Sequence, residues 1–575
     1  MRLACLAAGS DRAIGARAVG ILGAPRQSRR ALRVDSRLAS RPARAALRRA
    51  RIAADIPMQD LPAYGKRNAC QRRRLRSPTL RAVHCLLAGV ALAGCAAVGP
   101  GFKRPEAPAA ASGNLYTATP LPERTAEALV AGGQAQQWTP GADIPAQWWT
   151  LFRSPALDAL IRSALERSPT LAAAQATLRQ AQEGLTAQRD SLTLPRVDAQ
   201  AGAQRQHASA VQTQIPGGSF LTLYNAQVDV SYTPDLFGGV RRQLEGAEAL
   251  VDAQRYQVEA TYLMLTGNVV TAAIREAALR AQLDATREVL RSQRQQQDIL
   301  ERQFATGATP VSLTLAQRTL VAQTQATLPA LDKSLAQVRH QLAVYAGRLP
   351  AEADLPAFDL AGLVLPAELP LSLPSELARQ RPDVRAAQAL LHQASAQVGV
   401  ATANLYPQIQ LSANWGSTAL RGADLLSRPW TFWTLAAGLT QPLFHGDALA
   451  AQRRAAIAGF DAAAAQYRGT LLTAFQNVAD ALRALEFDAQ ALAAQAAAEA
   501  SARRALDVAD AQWRSGAVSR LQVLMAQQAW QQSRIALAQA QAARYADTAA
   551  LFQALGGGWW NREPPSAAAR GSTSD

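Results

Sequence analysis

Apolar and polar side chains alternate along four short stretches of the chain. Alternation is clearest at residues 224–232 and recurs at residues 408–415, 433–440 and, more weakly, 196–204. A period of two predicts β-strands, and apolar-out, polar-in strands of about 10 residues are typical of a transmembrane barrel with a wet lumen. A half-buried strand of a soluble sandwich gives the same local pattern, so any single stretch leaves both interpretations open. An aromatic girdle at the membrane interface is predicted at Trp415, Trp430, Phe432 and Trp433.

Long stretches without proline follow these strands. Residues 240–305 and 448–514 are rich in Ala, Gln, Leu and Arg, which are strong helix formers. At 1.5 Å per residue each helix would extend about 100 Å. Turns are predicted at Gly307 and Gly516, after which the helical pattern resumes over residues 312–347 and 520–555.

Two shorter helices are predicted to begin at Pro169 and Pro382, since proline suits the first helical position. Ser168 is the expected N-cap of the first. Taken alone, these helices would also suit a lipid-anchored coiled-coil scaffold with no channel. The four alternating strands argue against that alternative, because a scaffold has no use for them.

The same landmarks occur twice in the same order, about 210 residues apart. They are 168–175 and 381–388, 194–197 and 406–409, 235–238 and 442–446, and 304–308 and 513–517. Such a repeat predicts two copies of one unit. Four strands cannot close a barrel, and an open sheet edge in lipid costs several kcal/mol for each unpaired backbone group. The sequence therefore predicts an oligomeric membrane protein of mixed α and β structure.

The N-terminal region resembles a bacterial lipoprotein signal. Basic residues 71–76 precede an apolar run that ends in Leu-Ala-Gly before Cys95, and this run is shorter than the ~20 residues of a membrane-spanning helix. The pattern predicts a diacylglycerol on Cys95 as the mature N-terminus, and Ala96 implies sorting to the outer membrane. Residues 1–57 fit no signal pattern, so we expect translation to start near Met58 or this stretch to be removed with the leader.

Charge is distributed unevenly along the chain. There are 60 Lys and Arg, 43 Asp and Glu and a formal net charge of +17, but residues 1–94 hold 20 of the cations and only 4 of the anions. The nearly neutral remainder argues against the basic surface of a nucleic-acid-binding protein. All four cysteines precede residue 96, which excludes a disulfide framework or cysteine-ligated metal downstream. The five histidines lack metal-ligand spacing, so we expect no enzyme activity, no metal and no cofactor other than the covalent lipid.

Several motifs together resemble the TolC-like outer-membrane efflux factors, in particular their lipid-anchored branch, the NodT family. The similarity spans about residues 95–558. It is carried by residues 98–105, 148–152, 157–161, 235–238, 373–377, 381–384 and 441–444. The resemblance implies a homotrimer in which each chain gives four strands to one 12-stranded outer-membrane β-barrel, which continues into a long periplasmic α-helical barrel.

By the same resemblance, the protein is the lipid-anchored exit duct of a tripartite efflux pump in the outer membrane of a Gram-negative bacterium. It would let small molecules, such as drugs and toxic compounds, diffuse passively from periplasm to exterior. The implied partners are a periplasmic membrane-fusion adaptor and an inner-membrane pump of the RND class, which dock at the helix tips near Gly307 and Gly516. The outer-membrane duct of type I protein secretion is the alternative; the lipid anchor and Arg-Pro-Asp at 381–383 favour efflux.

The resemblance also locates a periplasmic aperture. The family pattern is a glycine followed by Leu-x-x-x-Asp-Ala, with acidic side chains forming a ring. Here Leu521 follows Gly516, but Met525 stands at the usual Asp and Gln522 fills the second commonly acidic position. We therefore predict an uncharged, mainly steric gate at these three residues, with ordinary packing between helices as the alternative role of Met525.

The predicted organisation follows from these features. It comprises an extension and signal peptide (1–94), a Pro/Ala-rich anchor and linker (95–147), a first repeat (148–347), a linker (348–372), a second repeat (373–558) and a disordered tail (559–575).

Overall fold

The computed structural model describes residues 97–105, 116–209, 211, 216–351, 354–372 and 374–562. The leader and Cys95 lie outside these residues. The helices are α1 (Pro155–Arg167), α2 (Pro169–Thr193), α3 (Gly239–Ala305), α4 (Val311–Tyr345), α5 (Pro374–Gln380), α6 (Pro382–Ala403), α7 (Ala448–Arg514) and α8 (Arg520–Ala554). The strands are β1 (Gln137–Pro140), β2 (Arg196–Ala208), β3 (Ser219–Tyr232), β4 (Glu368–Leu371), β5 (Gln408–Ala419) and β6 (Thr431–Thr440). Among the described residues, no helix combines the length and the apolar character needed to cross a bilayer.

Four strands form an antiparallel sheet in the order β2-β3-β5-β6. β2 and β3 make one hairpin, β5 and β6 make the other, and β3 pairs with β5 to join them. All four predicted strands are confirmed, and each extends further toward its hairpin loop than the alternation indicated. The ends of the strands opposite these loops connect to α2, α3, α6 and α7, so the hairpin loops lie at the end of the sheet away from the helices.

The strand register sorts side chains onto two faces. One row of paired residues is Ala199, Val228, Trp415 and Trp433, and the next is Asp198, Asp229, Asn414 and Thr434. Because successive side chains of a strand point to opposite sides, the sheet has an apolar face and a polar face, each continuous over four strands. Phe432 pairs with Gly416 on the polar face, so its predicted place beside Trp415 and Trp433 in one girdle is wrong.

Two helical hairpins form the rest of the architecture. α3 and α7 have 67 residues each, and each returns along a helix of 35 residues, α4 or α8. α3 also packs against α2, α6 and α8, while α7 packs against α6. The predicted bounds of these four long helices are confirmed to within two residues. Ser168 caps α2 as predicted, since its Oγ accepts a hydrogen bond from the Leu171 amide at 3.4 Å.

An aromatic core lies where the helices meet a small second sheet. The Trp148 ring stacks on Phe552 with centroids 5.6 Å apart and meets Trp149 edge to face. β1 and β4 pair in parallel beside this core, with Trp138 opposite Leu369. The segments that contain them, 95–147 and 348–372, were predicted to be an anchor and linker and a linker, and each contributes one short strand to this sheet. The second of them also buries apolar side chains, namely Leu355, Phe358, Leu360, Leu363, Leu365 and Leu369.

The start of the predicted tail is part of the fold. Gly556, Gly557 and Gly558 all have positive φ and end α8, as glycine permits. The Trp559 indole then donates to the Gln380 carbonyl at 2.5 Å, and the Arg562 guanidinium pairs with Glu259 at 2.6 Å. The prediction of a disordered tail is therefore wrong for residues 559–562, and residues 563–575 lie outside the described part.

Candidate functional site

Both long helices end in the same backbone motif. Gly307 has φ +72° and its amide donates to the Phe304 carbonyl, while the next amide donates to Gln303. Gly516 has φ +76° with equivalent hydrogen bonds to Trp513 and Gln512. This is the Schellman arrangement, which places glycine in the left-handed region and satisfies the last helical carbonyls. No atom lies within 4 Å of the position of a Cβ at either glycine, so the two predicted helix tips are open to their surroundings.

The predicted aperture residues lie on one side of the first turns of α8. Leu521 is 43% exposed and Met525 is 64% exposed, and Gln522 is also exposed. Val523 and Leu524, between them, are buried. Because residues four apart share a helix face, Leu521 and Met525 are presented together. Met525 is thus mostly outside the packing of its own chain, and the structure leaves all three side chains available to something outside the chain.

A charged cluster at the same tip escaped the sequence prediction. The Arg520 guanidinium lies 4.2 Å from the Trp513 ring centroid, and its Nη1 lies 3.8 Å from an Asp510 carboxylate oxygen. Asp510 also pairs with Arg514. These contacts join the end of α7 to the start of α8 across the Gly516 turn. The signal in the sequence was a Trp, an Asp and two Arg clustered around that glycine.

Above the tips, glutamines fill part of the helix interior. Gln293 and Gln296 of α3, Gln317 of α4, and Gln527 and Gln531 of α8 are all buried. The Gln317 amide donates to the Gln293 carbonyl at 2.7 Å, the Gln293 amide donates to Gln531 at 3.4 Å, and Gln296 contacts Gln527. This polar layer joins α3, α4 and α8 by hydrogen bonds where a coiled coil usually has apolar packing.

Nearer the aromatic core, two carboxyl groups meet between α7 and α8. Burial, together with a hydrogen bond and charge repulsion from Asp488, raises the pKa of Asp547 to about 7. The Asp488 Oδ2 atom is buried, and no N–H or hydroxyl group of the described residues donates a hydrogen bond to it. A proton shared with Asp547 satisfies this arrangement, because two adjacent carboxylates cannot both be ionised cheaply.

A buried arginine holds the N-terminal segment against α8. The side chain of Arg544 is fully buried, and it donates to Thr125 Oγ1 at 2.9 Å, to the Gln134 carbonyl at 2.6 Å and to the Ala126 carbonyl at 3.3 Å. Burial lowers the pKa of Arg544, and the nearby Asp488 charge opposes that shift. The segment before β1 is thus fixed to the helix that carries the aperture residues.

The residues that follow the predicted lipidation site dock at the junction of sheet and helices. The Val98 amide donates to the Phe237 carbonyl at 3.0 Å, and Arg242 of α3 donates to the Val98 and Gly99 carbonyls at 3.2 and 3.3 Å. Gly99 packs directly on Gly399 of α6, where a Cβ would lie 2.6 Å from the Gly399 Cα. Cys95 itself is outside the described residues, but its near neighbours lie where the sheet begins.

Within the described residues, no group of three His, Cys, Asp or Glu side chains is placed to hold a metal ion. His392 contacts Glu245 at 2.8 Å and stacks on Phe102 with ring centroids 4.3 Å apart. It therefore packs the docked N-terminal segment onto α6.

Known proteins match this chain over both predicted repeats. A family profile described as outer membrane efflux protein matches residues 160–348 and again residues 373–557. The pyoverdine export outer membrane protein OpmQ of Pseudomonas putida is 33% identical over 457 residues, which cover 78% of this chain and 96% of OpmQ. The probable efflux pump outer membrane protein TtgC of Pseudomonas putida is 29% identical over 476 residues, which cover 82% of this chain and 94% of TtgC. The solved outer-membrane channel OprN matches with a TM-score of 0.71 at 26% identity, covering 80% of this chain and 99% of that chain.

Proposed function

The chain belongs to the outer membrane efflux protein family and is an outer-membrane exit duct, and from this premise we propose that it works as a passive homotrimeric channel. Each chain contributes two repeats and four strands. Three chains together make a 12-stranded barrel that continues into a helical tube, through which small molecules leave the periplasm. Relatives named for pyoverdine export and for an efflux pump support small organic compounds as the exported class.

The observation that carries this proposal is a sheet with two unlike faces and two open edges. Among the described residues, the outer edges of β2 and β6 pair with no other strand. In lipid such edges are costly, and a closed ring of sheets removes them. Closure with the apolar face outward presents Trp415, Trp433 and Leu435, which are 63%, 75% and 75% exposed in the single chain, to the hydrocarbon. The polar face then lines a wet lumen.

The periplasmic end of this duct closes at an aperture lined by Leu521, Gln522 and Met525. Their exposure in one chain supports this role, because three copies meeting on a threefold axis would cover them. None of the three carries a charge, so the gate excludes solutes by size rather than by binding cations. A periplasmic adaptor docks at the tips near Gly307 and Gly516, and an RND-class pump supplies the energy.

The anchor is a diacylglycerol on Cys95. Docking of residues 98 and 99 beside Phe237 supports this, because it places the nearby N-terminus at the membrane end of the helices. Intact-mass measurement of the mature protein tests the proposal. We expect a chain that begins at Cys95 with an acyl-lipid mass increment, and a Cys95→Ser variant that lacks it.

Planar-bilayer conductance of the purified, folded protein tests the channel itself. We expect discrete openings with a conductance that millimolar divalent cations leave unchanged. A stable oligomer that gives no openings would support the lipid-anchored scaffold instead. Deletion of the gene in a host that has the matching pump should raise the accumulation of exported compounds, and a screen across antibiotics, dyes and metal ions would identify them.

A further inference from the structure

The apolar face carries a cleft at the loop ends of β5 and β6, level with the middle of β2 and β3. Its volume is about 530 Å³, within the range of roughly 300–1,000 Å³ usual for small-molecule sites. The strand residues Ala199, Ala201, Ala226, Val228 and Trp415 form its floor, and Leu425 and Leu426 of the loop between β5 and β6 form its side. All five floor residues belong to the apolar face by register. The cleft therefore opens on the side of the sheet away from the lumen.

Its position along the membrane normal follows from the topology. The loop between β5 and β6 lies at the end of the sheet opposite the helices. Since the helices extend into the periplasm, this loop lies at the outer leaflet. Leu426 is 97% exposed, and an apolar side chain so exposed on this face is placed to contact lipid.

One arginine lines the cleft, and two others lie on its hairpin-loop side. Arg428 lines it, and Arg421 begins the same loop. Arg205 follows Ala201 on the same face of β2, about 13 Å further out at ~3.4 Å per residue, and its guanidinium lies 5.6 Å from the centroid of the Phe220 ring. None of the three forms an ion pair with any described carboxylate, and Asp424 is the only acidic residue in the loop between β5 and β6. An apolar cleft bordered by unpaired cations matches a ligand with acyl chains and an anionic head.

We propose that this cleft binds a phosphorylated saccharolipid of the outer leaflet, of the lipid A type. One acyl chain lies in the cleft between the alanine floor and Leu425 and Leu426. The phosphate groups bind Arg205, Arg421 and Arg428, because guanidinium groups bind phosphate through paired, charge-assisted hydrogen bonds. This inference rests on the proposed barrel, which turns the apolar face toward lipid. An exported solute would instead travel along the polar face and would not meet this cleft.

Native mass spectrometry of the full-length protein in detergent tests the site, with lipid A as the probe. We expect one lipid A per chain on the wild type. An Arg205→Gln/Arg428→Gln variant should lower its affinity at least about tenfold, equivalent to 1.4 kcal/mol. Ala201→Trp, which fills the cleft but keeps every arginine, should do the same. Arg179→Gln/Arg255→Gln, on exposed positions of α2 and α3, and Ala437→Trp, on the apolar face outside the cleft, are the matched controls and should bind as the wild type does.

Two further probes separate the sources of the anion. Phosphatidylethanolamine should bind more weakly than lipid A, and millimolar inorganic phosphate should not displace lipid A. Equal binding of lipid A by Ala201→Trp, or its displacement by inorganic phosphate, would overturn the proposal in favour of an unspecific anion site. Equal binding by the double arginine variant would overturn it as well.

Conductance of the same preparations keeps the two proposals apart. All variants should conduct like the wild type, because none alters the lumen or the aperture. If the wild type conducts but binds lipid A no more tightly than the cleft variants do, the lipid site is contradicted and the channel proposal stands. A protein that binds lipid A at these residues but does not conduct defeats the channel proposal alone.

Discussion

Two neighbouring carboxyl groups, Asp488 of α7 and Asp547 of α8, make the stability of the protein depend on pH. The ordinary pKa of 3.8 for Asp547 rises to about 7 in the folded protein, chiefly through burial and then through Asp488. Between these two values the folded state binds a proton that the unfolded state has lost. Stability therefore falls as pH rises from about 4 to 7 and is flat above that window.

An Asp547→Asn variant should lose this dependence. The amide imitates the protonated acid at every pH, so the melting temperature of the variant relative to the wild type should rise by a few degrees between pH 5 and pH 8, on the scale of ~1 kcal/mol. Thermal scans followed by circular dichroism measure the difference. Asp461→Asn, at an exposed position of α7, is the control and should shift neither value. If the wild type instead gains stability relative to Asp547→Asn as the pH rises from 5 to 8, the shared proton is contradicted.

Arg544 is the second residue with a large expected effect. Its replacement by Met removes a donor from three acceptors in the segment 125–134. Thr125 Oγ1 keeps the Gln136 amide, but the part-buried Ala126 and Gln134 carbonyls lose the guanidinium, at about 1–3 kcal/mol for each that is left unpaired. We expect the segment before β1 to detach and become sensitive to protease while the sheet stays assembled. Arg534→Met, whose partner Glu288 is largely exposed, should change stability by less than about 1 kcal/mol. Limited proteolysis with mass mapping distinguishes the two variants.

At the same scale, the sequence predicts only part of the candidate site. The family pattern after Gly516 located Leu521 and Met525, and the structure leaves both exposed on one side of α8. Arg520 and Trp513 were missed because their contact crosses a turn, where no period applies. Asp488 and Asp547 were missed because the alignment of one helix along another depends on tertiary packing, which a single sequence does not display.

Among the elements, the two helix tips depend most on glycine. Gly307 and Gly516 hold positive φ in open space, so Ala at either position should cost about 1 kcal/mol through backbone strain alone. Gly459, inside α7 with no atom near its Cβ position, is the matched control. Gly459→Ala should stabilise the helix by about 0.5–1 kcal/mol. Chemical denaturation of the three variants gives the comparison, and a stabilising Gly516→Ala would contradict the Schellman assignment.

The elements also show why fold prediction from this sequence succeeded unevenly. Long proline-free helices and alternating strands carry periods that repeat many times, so their bounds followed closely. β1 and β4 have only four residues each, too few for alternation to appear, and they pair across more than 200 residues. Trp559 and Arg562 belong to the fold through side-chain contacts to α5 and α3. Such contacts depend on tertiary proximity and leave no periodic trace.

For the whole molecule, the aperture is a property of the proposed trimer rather than of one chain. Leu521, Gln522 and Met525 are exposed in the single chain, so the proposed gate requires three copies meeting at the tip. Three uncharged rings in that trimer would impose a size limit but little electrostatic selection, which would suit a duct for varied solutes. Arg520 adds no cation to the opening, because it is tied to Trp513 and Asp510 on its own chain.

Acidic side chains at this tip should convert the steric gate into a cation site. In a Gln522→Asp/Met525→Asp variant, six carboxylates would converge on the threefold axis, and oxygen ligands in that number bind divalent cations. We expect millimolar Ca²⁺ to block single-channel current in the variant at concentrations at least about tenfold below any that affect the wild type. Gln182→Asp, exposed on α2 at the sheet end of the helices, adds a carboxylate far from the aperture and should leave the block unchanged. A wild type that Ca²⁺ blocks as readily as the double variant would show that the natural aperture already gathers charge, contrary to the steric gate.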